Sequence, residues 1–97
     1  MKTYILGTAI YISVILPSEV DSIKITIVDE GLTKKIDAVD MSLDTNLSSG
    51  SVKKVYYYTY QTATTDIDGT YTAVIEVVLD GVTSVSQQKF ELTKRYY

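Results

Sequence analysis

The run Gly69–Leu92, GTYTAVIEVVLDGVTSVSQQKFEL, decides how this chain folds. Its first half alternates Tyr71, Ala73, Ile75, Val77 and Leu79 against Thr72, Val74, Glu76 and Val78. A period of two is the signature of a half-buried strand. The alternation stops at Asp80-Gly81 and resumes from Val82, closing on Phe90 and Leu92. Asp-Gly between two strands marks a two-residue hairpin of type I′, in which both central residues take positive φ. The register follows from the turn: Leu79 opposite Val82, Val77 opposite Ser84, Ile75 opposite Ser86, and Tyr71 opposite Phe90.

Working outward from this hairpin, the rest of the chain also reads as strands. Ile10, Ile12, Val14 and Leu16 share one face, with Ala9, Tyr11 and Ser13 on the other. Ser22–Asp29 sets Ile23, Ile25 and Ile27 against Lys24, Thr26 and Val28, and a turn follows at Asp29-Glu30-Gly31. Seven strands are predicted: Tyr4–Leu6, Ala9–Leu16, Ser22–Asp29, Thr33–Val39, Val52–Thr62, Thr70–Leu79 and Val82–Leu92. A short extra strand is expected around Met41–Leu43, before a polar loop centred on Asn46–Gly50. No segment has a helical period, and Pro17 is the single proline. Many short strands with frequent turn signals give an all-β sandwich or small barrel.

The chain has 97 residues, enough for one domain spanning 1–97 with a single core and no deep internal cavity. Its formal net charge of −3 leaves no basic footprint for nucleic acid. The doublets Lys34–Lys35, Lys53–Lys54 and Lys94–Arg95 read as solvated strand ends. Without cysteine, disulfides and thiol chemistry are excluded. The opening MKTYILGTAIYISVIL has a basic start and an apolar run, as a secretory signal would. Thr3, Gly7, Thr8 and Ser13 interrupt that run, and no small-x-small site follows Leu16. It is also too short and polar to span a membrane. The period-two alternation makes it part of the mature fold, which favours a virion or cytoplasmic location over a secreted one.

The segment DIDGTYTA, Asp66–Ala73, resembles the tyrosine corner that opens strand F of immunoglobulin-like domains. The family pattern is D-x-[AG]-x-Y-x-C, and Gly69 and Tyr71 match it. Ala73 stands where the disulfide cysteine would be, and Asp66 and Asp68 flank Ile67, where the acid is expected. These departures exclude an antibody-type domain. They fit the disulfide-free immunoglobulin-like domains of bacterial, archaeal and viral proteins, in which DxxGTYT followed by a D-G hairpin recurs. TYILGTAIYISVIL also resembles their opening strand, glycine and second strand. The resemblance implies a seven-stranded antiparallel immunoglobulin-like β-sandwich with Gly69 and Tyr71 at its corner and Asp80 and Gly81 at its last turn. It implies no activity.

The tyrosine-rich run VYYYTYQT, Val55–Thr62, then finds a place. Tyr56, Tyr58 and Tyr60 share one face of a strand, with Val55, Tyr57, Thr59 and Gln61 on the other. The three-tyrosine face is expected to look inward, ring packed and hydroxyl reaching backbone or water, with Tyr57 exposed. The competing reading, an aromatic platform for sugars or bases, would turn those rings to solvent and leave the strand no apolar face.

Catalytic constellations are scarce. Without histidine or cysteine there is no Ser-His-Asp or Cys-His arrangement and no nitrogen or sulfur site for zinc. The carboxylate pairs Asp29–Glu30, Asp37–Asp40 and Asp66–Asp68 lie in or beside turns. DIDG resembles half a calcium loop but lacks the downstream ligands, so no metal or other cofactor is expected. The reading is a non-catalytic structural or protein-interaction module, plausible as a small tail, neck or decoration component of a virion. An exported adhesion or carbohydrate-binding module is the alternative, and an enzyme the least supported. The expected partner is protein, through self-association or assembly with other structural proteins, with no nucleic acid and no membrane insertion. The expected working surface is the outer face of the last hairpin and its neighbour, with Val74, Val78 and Val85 outward and Val28 alongside.

Overall fold

The structure, a computed structural model, describes residues 1–48 and 53–94. Among the described residues, eight strands form two sheets: β1 (Lys2–Ile5), β2 (Ala9–Leu16), β3 (Ser22–Val28), β4 (Lys34–Asp40), β5 (Ser42–Leu43), β6 (Lys54–Gln61), β7 (Gly69–Leu79) and β8 (Val82–Thr93). The five-stranded sheet has the order β1-β8-β7-β3-β4, and the three-stranded sheet β2-β6-β5. One helical turn, α1, covers Thr45–Ser48. The rest of the expected loop and the first residue of the expected strand Val52–Thr62 fall on 49–52, which lie outside the described residues, as do 95–97.

Two expectations are corrected. There are eight strands rather than seven, because Ser42–Leu43 crosses to the smaller sheet and pairs there with Tyr57 and Tyr56. The sandwich is also not wholly antiparallel. β1 runs parallel to the end of β8, Lys2 opposite Phe90 through Ile5 opposite Thr93. The cause is the crossover at Gly7-Thr8. Gly7 takes φ 96°, the Leu6 N–H donates to Thr93 at 2.9 Å, and the Thr8 N–H turns back to Ile5 at 3.1 Å. β1 and β2 therefore enter different sheets instead of forming a hairpin.

The core lies where the two sheets face each other. Period-two faces supply it: Ile10 and Ile12 from β2, Ile25 and Ile27 from β3, Tyr56 and Tyr60 from β6, and Tyr71, Ala73 and Ile75 from β7 are all buried. Tyr58 is half-buried and packs against this cluster. Tyr57 is half-buried rather than exposed, because its ring stacks on Tyr11 of the adjacent strand at 5.4 Å and 18°. The run of tyrosines thus fills the core with one face and pairs an aromatic ring on the other. The β7–β8 register has Leu79 opposite Val82, Val77 opposite Ser84, Ile75 opposite Ser86 and Tyr71 opposite Phe90.

Candidate interaction surface

Gly69 and Tyr71 meet at the start of β7. The Tyr71 hydroxyl donates to the Ile67 carbonyl at 2.6 Å, closing the turn that precedes its own strand. Its ring is fully buried, stacked on Phe90 at 5.7 Å and tilted against Tyr60 at 6.5 Å. Burial, aided by the negative charges of Asp66, Asp29 and Asp68, pushes the phenol up to about 12. Gly69 takes φ 130°, and a Cβ there would fall 2.7 Å from the Glu30 Cβ. That close approach lets the Glu30 carboxylate accept the Thr70 N–H at 2.6 Å. Glu30 carries no sequence signal for this role beyond its place in a turn.

At the opposite end of β7, Asp80 has φ 51° and Gly81 φ 77°, the two positive angles of a type I′ turn. The Asp80 N–H donates to the Asp21 carboxylate at 2.9 Å, tying the hairpin to the start of β3. Between these two ends, β3, β7 and β8 present the outer face of the larger sheet. Cross-strand partners share a face, so the pairs Val28–Thr72, Thr26–Val74, Ser22–Val78 and Glu76–Val85 put all four valines on it. Val74 is diagonal to both Val28 and Val85, so these three run obliquely across three strands, and Val78, back on β7, is diagonal to Val85 and extends the patch. Val85 is exposed, and the other three are half-buried among Lys24, Thr26 and Glu76.

The acidic pairs do not converge. The Asp29 carboxylate accepts the Thr33 N–H at 2.9 Å inside its own turn. Asp37 pairs with Lys34 at 3.6 Å and Asp40 with Lys24 at 3.8 Å, both on the surface. Asp66 accepts the Ala63 N–H at 2.8 Å and meets Lys35 at 3.0 Å. Burial acts to raise its carboxyl, but the Ala63 N–H and the Lys35 ammonium outweigh that and hold it below the usual value. Among the described residues, no three side chains of metal-binding type come together. These carboxylates hold turns and make surface ion pairs. No family model, curated protein or solved structure matches this chain.

Proposed function

We propose that the chain is a non-catalytic structural module with an immunoglobulin-like sandwich, working through contacts with other proteins. The strand order supports the fold reading. Lettering β2 to β8 as B, C, C′, D, E, F and G gives sheets G-F-C-C′ and D-E-B, an order compatible with that fold for these seven strands, while β1 joins strand G instead of the A-B-E-D sheet. The Tyr71 hydroxyl on the Ile67 carbonyl at the start of strand F adds to it. The setting we propose is a virus particle, where a small disulfide-free module joins larger assemblies as a tail, neck or decoration subunit. A constant copy number of the chain in purified particles is the expected result, and its loss on washing in high salt counts against it.

The observation that carries the interaction reading is the valine patch on the outer face of β3, β7 and β8. Single exposed valines are ordinary, but several on one sheet face form the kind of patch that marks association. Val78→Asp, alone or with Val74→Lys, is expected to leave a soluble folded chain and to abolish growth into larger assemblies read by light scattering. Assembly that proceeds as in the unaltered chain excludes this face.

A further inference from the structure

Beside the short, Lys2-led edge of β1 (4 residues), one side of the sandwich has two longer stretches of unpaired strand edge among the described residues. β2 ends its sheet, so its outer edge has no partner strand among the described residues. β8 is paired by β1 only over Phe90–Thr93, which leaves the outer edge of Val82–Lys89 open as well. Unpaired backbone N–H and C=O groups along a strand are a template for another strand, and proteins normally blunt such edges with charge, proline, bulges or brevity. The other edges here are blunted in those ways. β4 carries Lys34, Lys35, Asp37 and Asp40, has register breaks, and places Ala38 at φ 51°. β5 has 2 residues. β2, AIYISVIL, has no charge and no proline, and Lys89 is the sole charge in Val82–Lys89.

The backbone phase of both edges can be read from the hydrogen bonds. The Thr62 N–H donates to the Thr8 carbonyl, so even-numbered residues of β2 bond toward β6 and Tyr11, Ser13 and Ile15 point outward. The two-residue turn pairs Leu79 with Val82, and Thr93 accepts the Leu6 N–H, so Val85, Gln87 and Lys89 point outward from β8. Within one chain the two strands run antiparallel. The Leu16 end of β2 shares a groove of about 550 Å³ with Val82 and Ser84. The Ile10 end shares another with Lys89 and Phe90. Midway, the Gln88 amide donates to the outward Ser13 carbonyl at 3.0 Å, bridging the slot between the edges.

We propose that this side of the sandwich is a two-fold interface with a second copy of the chain, in which β2 of each copy pairs antiparallel with β8 of the other. A two-fold axis parallel to the strands exchanges the levels of the two sheets while keeping each strand's direction and height. It therefore brings β8 of the second copy beside β2, and β2 of the second copy beside β8, in one operation. Residues level with each other in one chain become cross-strand neighbours between chains. Ser13 is level with Gln88, and the outward phase of both strands leaves Gln87 or Lys89 as its partner; Gln87 is the choice that does not set Tyr11 against Glu91, whose outer edge β1 already occupies. The register then sets Ile15 against Val85 and Tyr11 against Lys89 of the second copy. Ile15 is 64% and Val85 60% exposed in the single chain. Burying them as a directly opposed β-branched pair gives each a partner. Lys89 comes over the Tyr11–Tyr57 ring pair, where a cation is attracted. The Gln88 amide yields Ser13 to the incoming Gln87 N–H. β1, starting at Lys2, bounds the pairing at the Lys89 end.

This inference builds on the reading of the chain as an assembly module but uses edge backbone rather than the outer face. Val28, Val74 and Val78 stay uncovered in the dimer. Sedimentation equilibrium of the unaltered chain is expected to give twice the 10.8 kDa chain mass. Ile15→Lys should raise the dissociation constant by about tenfold or more, since it removes the apolar pair with Val85 and sets a charge on the pairing edge. Ser13→Pro removes only an outward N–H, a change an edge strand tolerates, and should give a folded monomer. Val78→Asp should leave the dimer intact, which separates this interface from the valine face. Because the chain has no cysteine, Ile15→Cys with Val85→Cys provides a direct test. The two positions lie on opposite outer faces of one sandwich, so a mild oxidant can join them only between copies. A cross-linked 15–85 peptide supports the register. A chain that stays monomeric at millimolar concentration, a dimer indifferent to Ile15→Lys and Ser13→Pro, or cross-links that avoid the 15–85 pair would overturn the proposal.

Discussion

Tyr60 and Tyr71 lie ring to ring in one core, yet their hydroxyls have opposite fates. That of Tyr71 donates to Ile67 at 2.6 Å, whereas that of Tyr60 is buried without a hydrogen-bond partner among the described residues. Removing the first leaves a carbonyl unpaired, so Tyr71→Phe is expected to cost about 0.5–1.5 kcal/mol in chemical denaturation. Removing the second deletes an unsatisfied group, so Tyr60→Phe should leave stability unchanged or raise it by up to about 1 kcal/mol. Equal losses in both variants would mean that the Tyr71 bond contributes nothing specific. Burial of these phenols sets a pH dependence. Folding raises the Tyr71 phenol from 10.0 to about 12, so its contribution is complete below the unfolded value and is lost as pH rises from there through the folded one. Denaturation midpoints at pH about 9 and about 12 should show a steep alkaline loss that Tyr71→Phe makes shallower. Tyr71 was legible from its spacing to Gly69, because a corner needs a ring that packs and a hydroxyl that reaches back. The orphaned hydroxyl of Tyr60 was not, since its run of tyrosines shows which face is inward but not what each hydroxyl meets.

At the scale of elements, the β7–β8 hairpin was read pair by pair because Asp80-Gly81 fixes phase and register together. Gly81→Val tests that lock. A Cβ at Gly81 would meet nothing within 4 Å, so any loss comes from forcing a β-branched residue to φ 77° and not from a clash. The expected cost is about 1–2 kcal/mol, measured by thermal or chemical unfolding. Gly81→Asn, which tolerates that backbone region, should recover most of it. A valine variant as stable as the parent would exclude a type I′ turn. Elements without a local turn signal were harder to place. β5 rests on two residues and takes its position from Tyr56 and Tyr57 across the ladder. β1 pairs parallel through a contact with Phe90–Thr93 from the far end of the chain, which no local pattern encodes. The four valines of the outer face were legible as a face from their period. Their contiguity as one patch depends on how three strands are offset, and only the ladder supplies that.

For the whole molecule, the question is what makes two sheets unfold as one unit when their main contact is apolar. Thr62, just past β6, gives part of the answer. It is 2% exposed, its hydroxyl accepts the Gly7 N–H at 2.8 Å, and it donates to the Thr8 carbonyl at 2.7 Å. One side chain thus satisfies both backbone groups at the point where the chain leaves the larger sheet for the smaller. Gly7 needs its φ of 96° for that crossing, and the Gln61 amide adds a further bond to the Gly7 carbonyl at 3.1 Å. Thr62→Val keeps the shape and removes the hydroxyl, so packing is preserved while the Gly7 N–H loses its partner and the Thr8 carbonyl keeps only the Thr62 N–H at 3.3 Å. The expected loss is about 0.5–1.5 kcal/mol. If the crossing couples the sheets, the loss should also divide the unfolding transition. Amides of β2 and β6 in the smaller sheet would exchange at a lower free energy than those of β3 and β7 in the larger one in the variant, but together with them in the parent. A uniform drop across all strands would mean that Thr62 adds stability without coupling the sheets. No drop at all would mean that solvent satisfies the crossing as well as the hydroxyl does.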